Sequence, residues 1–174
     1  MDNLIAKADT LLEALPYMQR FRGETFVIKY GGSFMDSTDS AVRSGVARDV
    51  VFIEAVGINP VIVHGGGKAI TRALEQAGVE TRFEQGYRVT TPKSVEVVEQ
   101  VLSREINPGI VGMINELGGK ARGFSGTEIF RCKPFRPLGQ EGEPLDIGLV
   151  GEVTGGNTAP LLEGIAQDIT PVIS

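Results

Sequence analysis

Two glycine-rich turns hold the residues whose types and spacing could do chemistry: Lys29-Tyr30-Gly31-Gly32-Ser33 and His64-Gly65-Gly66-Gly67. In the first, consecutive glycines let backbone N–H groups approach an anion with no Cβ in the way. Lys29 can bring an ammonium to the same anion. Lysine plus glycine amides supplies the positioning and charge neutralisation that phosphoryl transfer requires. The plainer alternative is a tight turn beside a solvated lysine. The second turn has three consecutive glycines, more than a turn needs; close approach of backbone to a ligand would explain them. A helix starting near Lys68 would aim its positive end at that turn and favour an anion there. Neither the G-x-x-x-x-G-K-[ST] phosphate loop nor the G-x-G-x-x-G dinucleotide fingerprint is present.

Two further residues carry alternatives. His64, the single histidine, is either a structural hydrogen-bonding group at a strand end or a general base. Arg88, in Gly86-Tyr-Arg-Val-Thr90, could grip a carboxylate through two parallel hydrogen bonds, or be an ordinary surface arginine. No His/Asp/Glu cluster has metal-ligand spacing, so no metal-binding residue is expected.

The elements that must position these groups follow from periodicity. Leu4, Ile5, Ala8, Leu11, Leu12 and Leu15 recur at helical spacing, and Pro16 is expected to stop that helix. Its apolar stripe would pack on its own domain or against another chain. Thr25 to Tyr30 reads as a buried strand running into Gly31. Asp39 can cap a helix bearing Val42, Val46, Val50 and Ile53, ended by Gly57. Pro60 to Val63 is a second apolar strand. Such a strand–helix–strand unit makes the strands parallel neighbours, so both glycine turns fall at the same edge of the sheet. A helix carrying Ile70 and Leu74 ends at Gly78. Another starts at Thr91-Pro92, with Val95, Val98, Val101 and Leu102 inward; Pro108 must kink or restart it. Residues 121–153 read as hairpins, Asn157 to Ile165 as a short helix, and Ile169 to Ile173 as a strand. The loop that should follow Ile173 in an open α/β sheet is not part of the sequence, so a fragment of a longer protein is expected.

Composition narrows the partners. The chain has 174 residues, 41% hydrophobic and 22% charged, enough for a packed core. A net charge of −5 argues against nucleic acid or an anionic membrane as main partner. Cys132 is the single cysteine, so no intrachain disulfide is possible and a reducing cytoplasm fits. It alternates with Phe130 and is expected in the core. Asp2, Lys7, Asp9 and Glu13 break up the amino-terminal apolar residues, so neither a signal peptide nor a membrane helix is expected.

Taken together, Phe26-Val-Ile-Lys-Tyr-Gly-Gly-Ser33, Pro60-Val-Ile-Val-His-Gly-Gly-Gly67, Gly86-Tyr-Arg-Val-Thr90, Gly123-Phe-Ser-Gly126, Gly148-Leu-Val-Gly-Glu-Val153 and Thr170-Pro-Val-Ile-Ser174 resemble the amino acid kinase family, in particular its acetylglutamate-phosphorylating branch. The resemblance implies an αβα sandwich around a mainly parallel sheet. It implies transfer of phosphate from ATP, with Mg2+ carried by the nucleotide, to the side-chain carboxylate of N-acetyl-L-glutamate in arginine biosynthesis. It assigns Lys29 to the transferred phosphate, Gly31 and Gly32 to the ATP phosphates, Gly65 and Gly66 to acetylglutamate, and Arg88 to its α-carboxylate. A carboxylate acceptor is already ionised and needs no general base.

The same resemblance makes residues 24–174 the amino-acid-binding part, with the nucleotide-binding half outside the sequence. Residues 1–16 resemble an amphipathic extension that links dimers into hexamers and helps form a site for L-arginine as feedback inhibitor. A homo-oligomer, dimeric or a hexamer of dimers, is therefore expected. Lys68 stands where proline is common in the family. The alternatives are a non-catalytic fragment binding acetylglutamate or arginine, and a related kinase acting on carbamate or aspartate.

Overall fold

The computed structural model describes residues 2–32 and 39–174; Ser33, in the first glycine turn, lies outside the described residues. The leading helix, α1 (Asp2–Phe21), runs straight through Pro16 and corrects the expected stop. Proline removes one backbone donor and frees the Leu12 carbonyl, but Leu12 and Tyr17 are exposed, so water can satisfy that carbonyl. Half-buried Ala14, Met18 and Phe21 carry the helix onward at i, i+4, i+7, with Phe21 edge-on to Phe26 at 5.3 Å. The stripe read from the sequence faces outward instead: Leu11 is 61% and Leu12 64% exposed.

β1 (Thr25–Tyr30) is followed by α2 (Ser40–Ala55), whose first turn is capped by Asp39 accepting the Ala41 N–H at 2.7 Å. β2 (Asn59–His64) lies parallel to β1 in the register Thr25↔Asn59 to Tyr30↔His64. α3 (Gly67–Gln76) leaves directly from the second glycine turn. The ribbon β3 (Phe83–Glu84) and β4 (Tyr87–Arg88) closes on Gln85-Gly86. Both central residues have positive φ, 47° and 87°, as a two-residue hairpin turn matched to strand twist requires.

α4 (Pro92–Glu99) starts with Thr91 as cap and proline in its first turn. It continues through a π-helical stretch, Gln100–Ile106, into α5 (Asn107–Glu116). Pro108 cannot donate to the carbonyl four residues back. The wide turn absorbs this, with the Asn107 N–H bonding Leu102, five residues back. The expected inward face holds at buried Val101, but Val95 is exposed.

Residues 121–153 match the expected hairpins only in part: the segment holds antiparallel pairing but begins differently. β5 (Ala121–Phe124) is a parallel strand of the main sheet, paired with β8 (Thr170–Ile173) in the register Gly123↔Val172. Its Ala-Arg-Gly-Phe sequence has too little alternation to read alone, and β8 recruits it. After α6 (Gly126–Ile129), β6 (Phe130–Pro134) and β7 (Gly151–Gly156) form a separate antiparallel ribbon. Cys132 is exposed on that ribbon rather than in the core, because no second layer covers a two-stranded ribbon there.

The main sheet has the order β1-β2-β8-β5, all parallel. One face packs on α2 and α5 through Val50, Ile62, Ile110, Ile114 and Val172. The other packs Val61 and Ile173 on Ile129 of α6 and Leu161 of α7 (Ala159–Ile165). The result is the expected α/β architecture, with helices on both faces of a parallel sheet. Among the described residues no helix is long and apolar enough to cross a membrane.

Candidate functional site

In a parallel sheet all carboxyl ends meet at one edge, and that edge gathers the predicted groups. Tyr30 and His64 are register partners, so Gly31 and Gly65 leave the sheet side by side; the Gly65 N–H donates to the Tyr30 carbonyl at 3.2 Å. The glycines differ in why they are glycine. Gly32 has φ +64° and, among the described residues, no atom within 4 Å of where a Cβ would stand. Gly66 has no positive φ, but a Cβ there would lie 2.5 Å from Ile106 Cδ1 and 2.9 Å from Leu102 Cδ2. Gly65 faces open space. Of the glycines in the second turn, then, Gly66 makes room for the π-helical stretch, while Gly65 and Gly67 have no described atom near where a Cβ would stand.

Arg88 is carried to this turn by its hairpin. Its Nη2 donates to Thr71 Oγ1 at 2.8 Å and reaches the Gly67 carbonyl at 3.5 Å, both in the first turns of α3. Its Cζ lies 4.7 Å from the centroid of the Phe83 ring, the residue opposite it in the ribbon. Its Nη1 is buried without a hydrogen-bond partner. A buried, unpaired guanidinium nitrogen is costly, and an anion placed against it near the amino end of a helix would relieve that cost. The motif stretch starting at Gly148 braces the same segment: the Thr90 N–H donates to Ile147 at 3.0 Å, and the Leu149 N–H to Thr90 at 2.7 Å.

His64 is 5% exposed and both ring nitrogens are engaged. Nδ1 lies 3.1 Å from the Gly65 carbonyl, which fixes the proton there. Nε2 then accepts from Asn107 Nδ2 at 3.2 Å, and Asn107 donates its other hydrogen to the Val172 carbonyl at 2.9 Å. Burial pushes the imidazole below its ordinary 6.5, with the Gly65 bond opposing. The ring is a neutral tie between β2, α5 and β8, which answers the open alternative in favour of structure.

Lys29 is exposed on β1. By strand alternation it projects from the opposite face to Tyr30, beside its register partner Val63. It therefore shares the sheet edge with the glycine turns. Beyond the ends of β5 and β8 an open polar cleft of about 450 Å³ is lined by Asn107, Gly123, Ser125 and Thr127, among others. Among the described residues no group of three or more His, Cys, Asp and Glu side chains could hold a metal ion. Sequence reasoning missed Thr71, Phe83 and Asn107. The sole local signal was the Gln85-Gly86 turn, which sets Phe83 opposite Arg88.

The amino acid kinase family profile matches residues 24–174. An acetylglutamate kinase of Akkermansia muciniphila is 48% identical over 171 residues, covering 98% of this chain and 57% of that protein. One from Arthrobacter sp. is 46% identical, covering 97% of this chain and 54% of its own. The chain thus spans little more than half the length of these relatives. Among solved structures, an N-acetylglutamate synthase from Neisseria gonorrhoeae, complexed with coenzyme A and N-acetyl-glutamate, aligns with a TM-score of 0.75 at 18% identity, over 95% of this chain and 37% of that one. At that identity the likeness speaks to the fold alone.

Proposed function

This chain belongs to the amino acid kinase family, and from that premise we propose that it forms the acetylglutamate-binding side of a kinase that phosphorylates the side-chain carboxylate of N-acetyl-L-glutamate with ATP, a step of arginine biosynthesis. The observation that carries this reading is the buried, unpartnered Nη1 of Arg88 beside the first turn of α3. In this assignment the α-carboxylate meets Arg88, and the chain at Gly65 and Gly66 flanks the substrate. Lys29, Gly31 and Gly32 face the ATP phosphates, with Mg2+ carried by the nucleotide. The side-chain carboxylate oxygen attacks the γ-phosphorus, the bond to the ADP oxygen breaks, and an acyl phosphate and ADP result. No proton need be removed from the ionised acceptor, consistent with a His64 whose ring is engaged internally.

Calorimetric titration with N-acetyl-L-glutamate tests the assignment. Arg88→Ala should weaken binding by roughly 2–4 kcal/mol, the scale for leaving a buried charge unpaired. Unchanged affinity would sink it.

The outward stripe of α1, Ile5, Leu11, Leu12 and Leu15, supports a second part of the reading: this helix links copies of the chain, with L-arginine as feedback inhibitor of the assembly. Deleting residues 1–15 should then lower the mass seen in sedimentation velocity, and an unchanged mass removes the linking role. A cytoplasmic location rests on the single cysteine.

A further inference from the structure

We propose that Thr71 is a positioning residue for Arg88, and that it decides which guanidinium nitrogen receives the substrate carboxylate: Nη1. This deepens the reading above and rests on it.

The hydroxyl of Thr71 has a single hydrogen, and it donates that hydrogen to the Gly67 carbonyl at 2.9 Å. Toward Arg88 it can therefore present only lone pairs, and it accepts from Nη2 at 2.8 Å. The second Nη2 hydrogen has the Gly67 carbonyl within 3.5 Å. Phe83 covers one face of the guanidinium, with Cζ 4.7 Å from the ring centroid. Nη2 is thus directed into α3, one flat face is closed, and Nη1 is left buried without a partner. Nη1 is covered in the structure as it stands, so a carboxylate must displace a neighbouring group to reach it, and then finds it already oriented and already desolvated. Rotating the guanidinium to offer Nη1 and Nη2 together would break the bond to Thr71. Helix α3 supplies the rigidity: Ile70 and Leu74, on either side of Thr71, are buried. Thr71 itself lies behind the guanidinium and touches Arg88 rather than the carboxylate.

The test compares two replacements that split the side chain of Thr71. Thr71→Val keeps the shape and removes the hydroxyl; Thr71→Ser keeps the hydroxyl and removes the methyl. Binding of N-acetyl-L-glutamate is measured by calorimetry, alongside thermal midpoints and the Arg88→Ala variant. Thr71→Val is expected to raise Kd about 10-fold, the loss of one hydrogen bond to a charged group, while Thr71→Ser stays within about 3-fold of the unaltered chain. If packing were the role of Thr71, the order would reverse, Ser being worse than Val, and the proposal would be overturned. It is also overturned if Thr71→Val binds normally while Arg88→Ala does not, which leaves the carboxylate reading intact. If the unaltered chain binds no acetylglutamate, both fall together. Should Thr71→Val not fold, Thr71→Ala against Thr71→Ser makes the same comparison of hydroxyl lost and kept.

Discussion

The turns after β1 and β2 look alike in sequence, each a strand running into consecutive glycines, yet they are built on different physics. At the first, Gly32 is required by its backbone: φ of +64° is a left-handed conformation that a side chain resists, although nothing crowds the position. At the second, Gly66 lies outside the left-handed region and is required by its neighbours, since Ile106 and Leu102 occupy the space a Cβ would need. In the first turn, Gly32 has no described side chain against it. The second is a wall itself, packed from behind by the π-helical stretch and flanked by a fixed arginine. A loop that must accept a moving phosphoryl group and a loop that must hold an amino acid in one orientation would differ in this way.

Three substitutions can break or sharpen that distinction. The largest effect is expected from Gly66→Ala. Ile106 and Leu102 pack against the cluster around Ile70, Leu74 and Val101 and both must give to admit a Cβ, so stability should fall by about 2 kcal/mol in urea unfolding, as for an overpacked core. If Gly66→Ala unfolds at the same urea concentration as the unaltered chain, the packing account of the second turn is wrong. Gly32→Ala should cost about 1 kcal/mol, the strain of a left-handed residue, with the sheet otherwise undisturbed; a D-alanine at the same position, introduced by ligation, should recover it. Gly65→Ala should be the mildest for folding, within about 0.5 kcal/mol, because its Cβ meets open space. It should nonetheless weaken acetylglutamate binding if that space belongs to the ligand. Normal binding by Gly65→Ala would move the ligand away from this turn.

Much of this was legible from residue order. The β1–α2–β2 unit follows from Asp39 as a cap, a helical apolar face and two β-rich runs, all of them local signals. The start of α4 at Thr91-Pro92 is likewise local. Other features were not. Pro16 does not end α1, because the carbonyl it frees lies on an exposed face where water can satisfy it. The sequence marks an interruption at Pro108, but not its form, since a π-helical stretch depends on what α5 packs against. Cys132 alternates like a core residue and is exposed, because alternation says which residues share a face and not whether anything covers it. The same gap applies to Leu11 and Leu12.

At the site, the residue types and their common edge were readable: Lys29, Gly31, Gly32, Gly65 and Gly66 follow from two parallel strands whose carboxyl ends must coincide. The state of each side chain was not. Arg88 acquires its direction from Thr71, 17 residues away in sequence, and His64 loses its candidacy as a base to Asn107, 43 residues away. Strand periodicity, capping and turn chemistry are interactions among near neighbours, so the sequence alone determined β1, β2 and β8, the edge they share, and the candidates Lys29, Gly31, Gly32, Gly65, Gly66 and Arg88, while β5 and the partners Thr71, Phe83 and Asn107 came from the fold. Which nitrogen is left without a partner, and which imidazole is locked neutral, depends on contacts between elements far apart in the chain, and only the tertiary structure decided them.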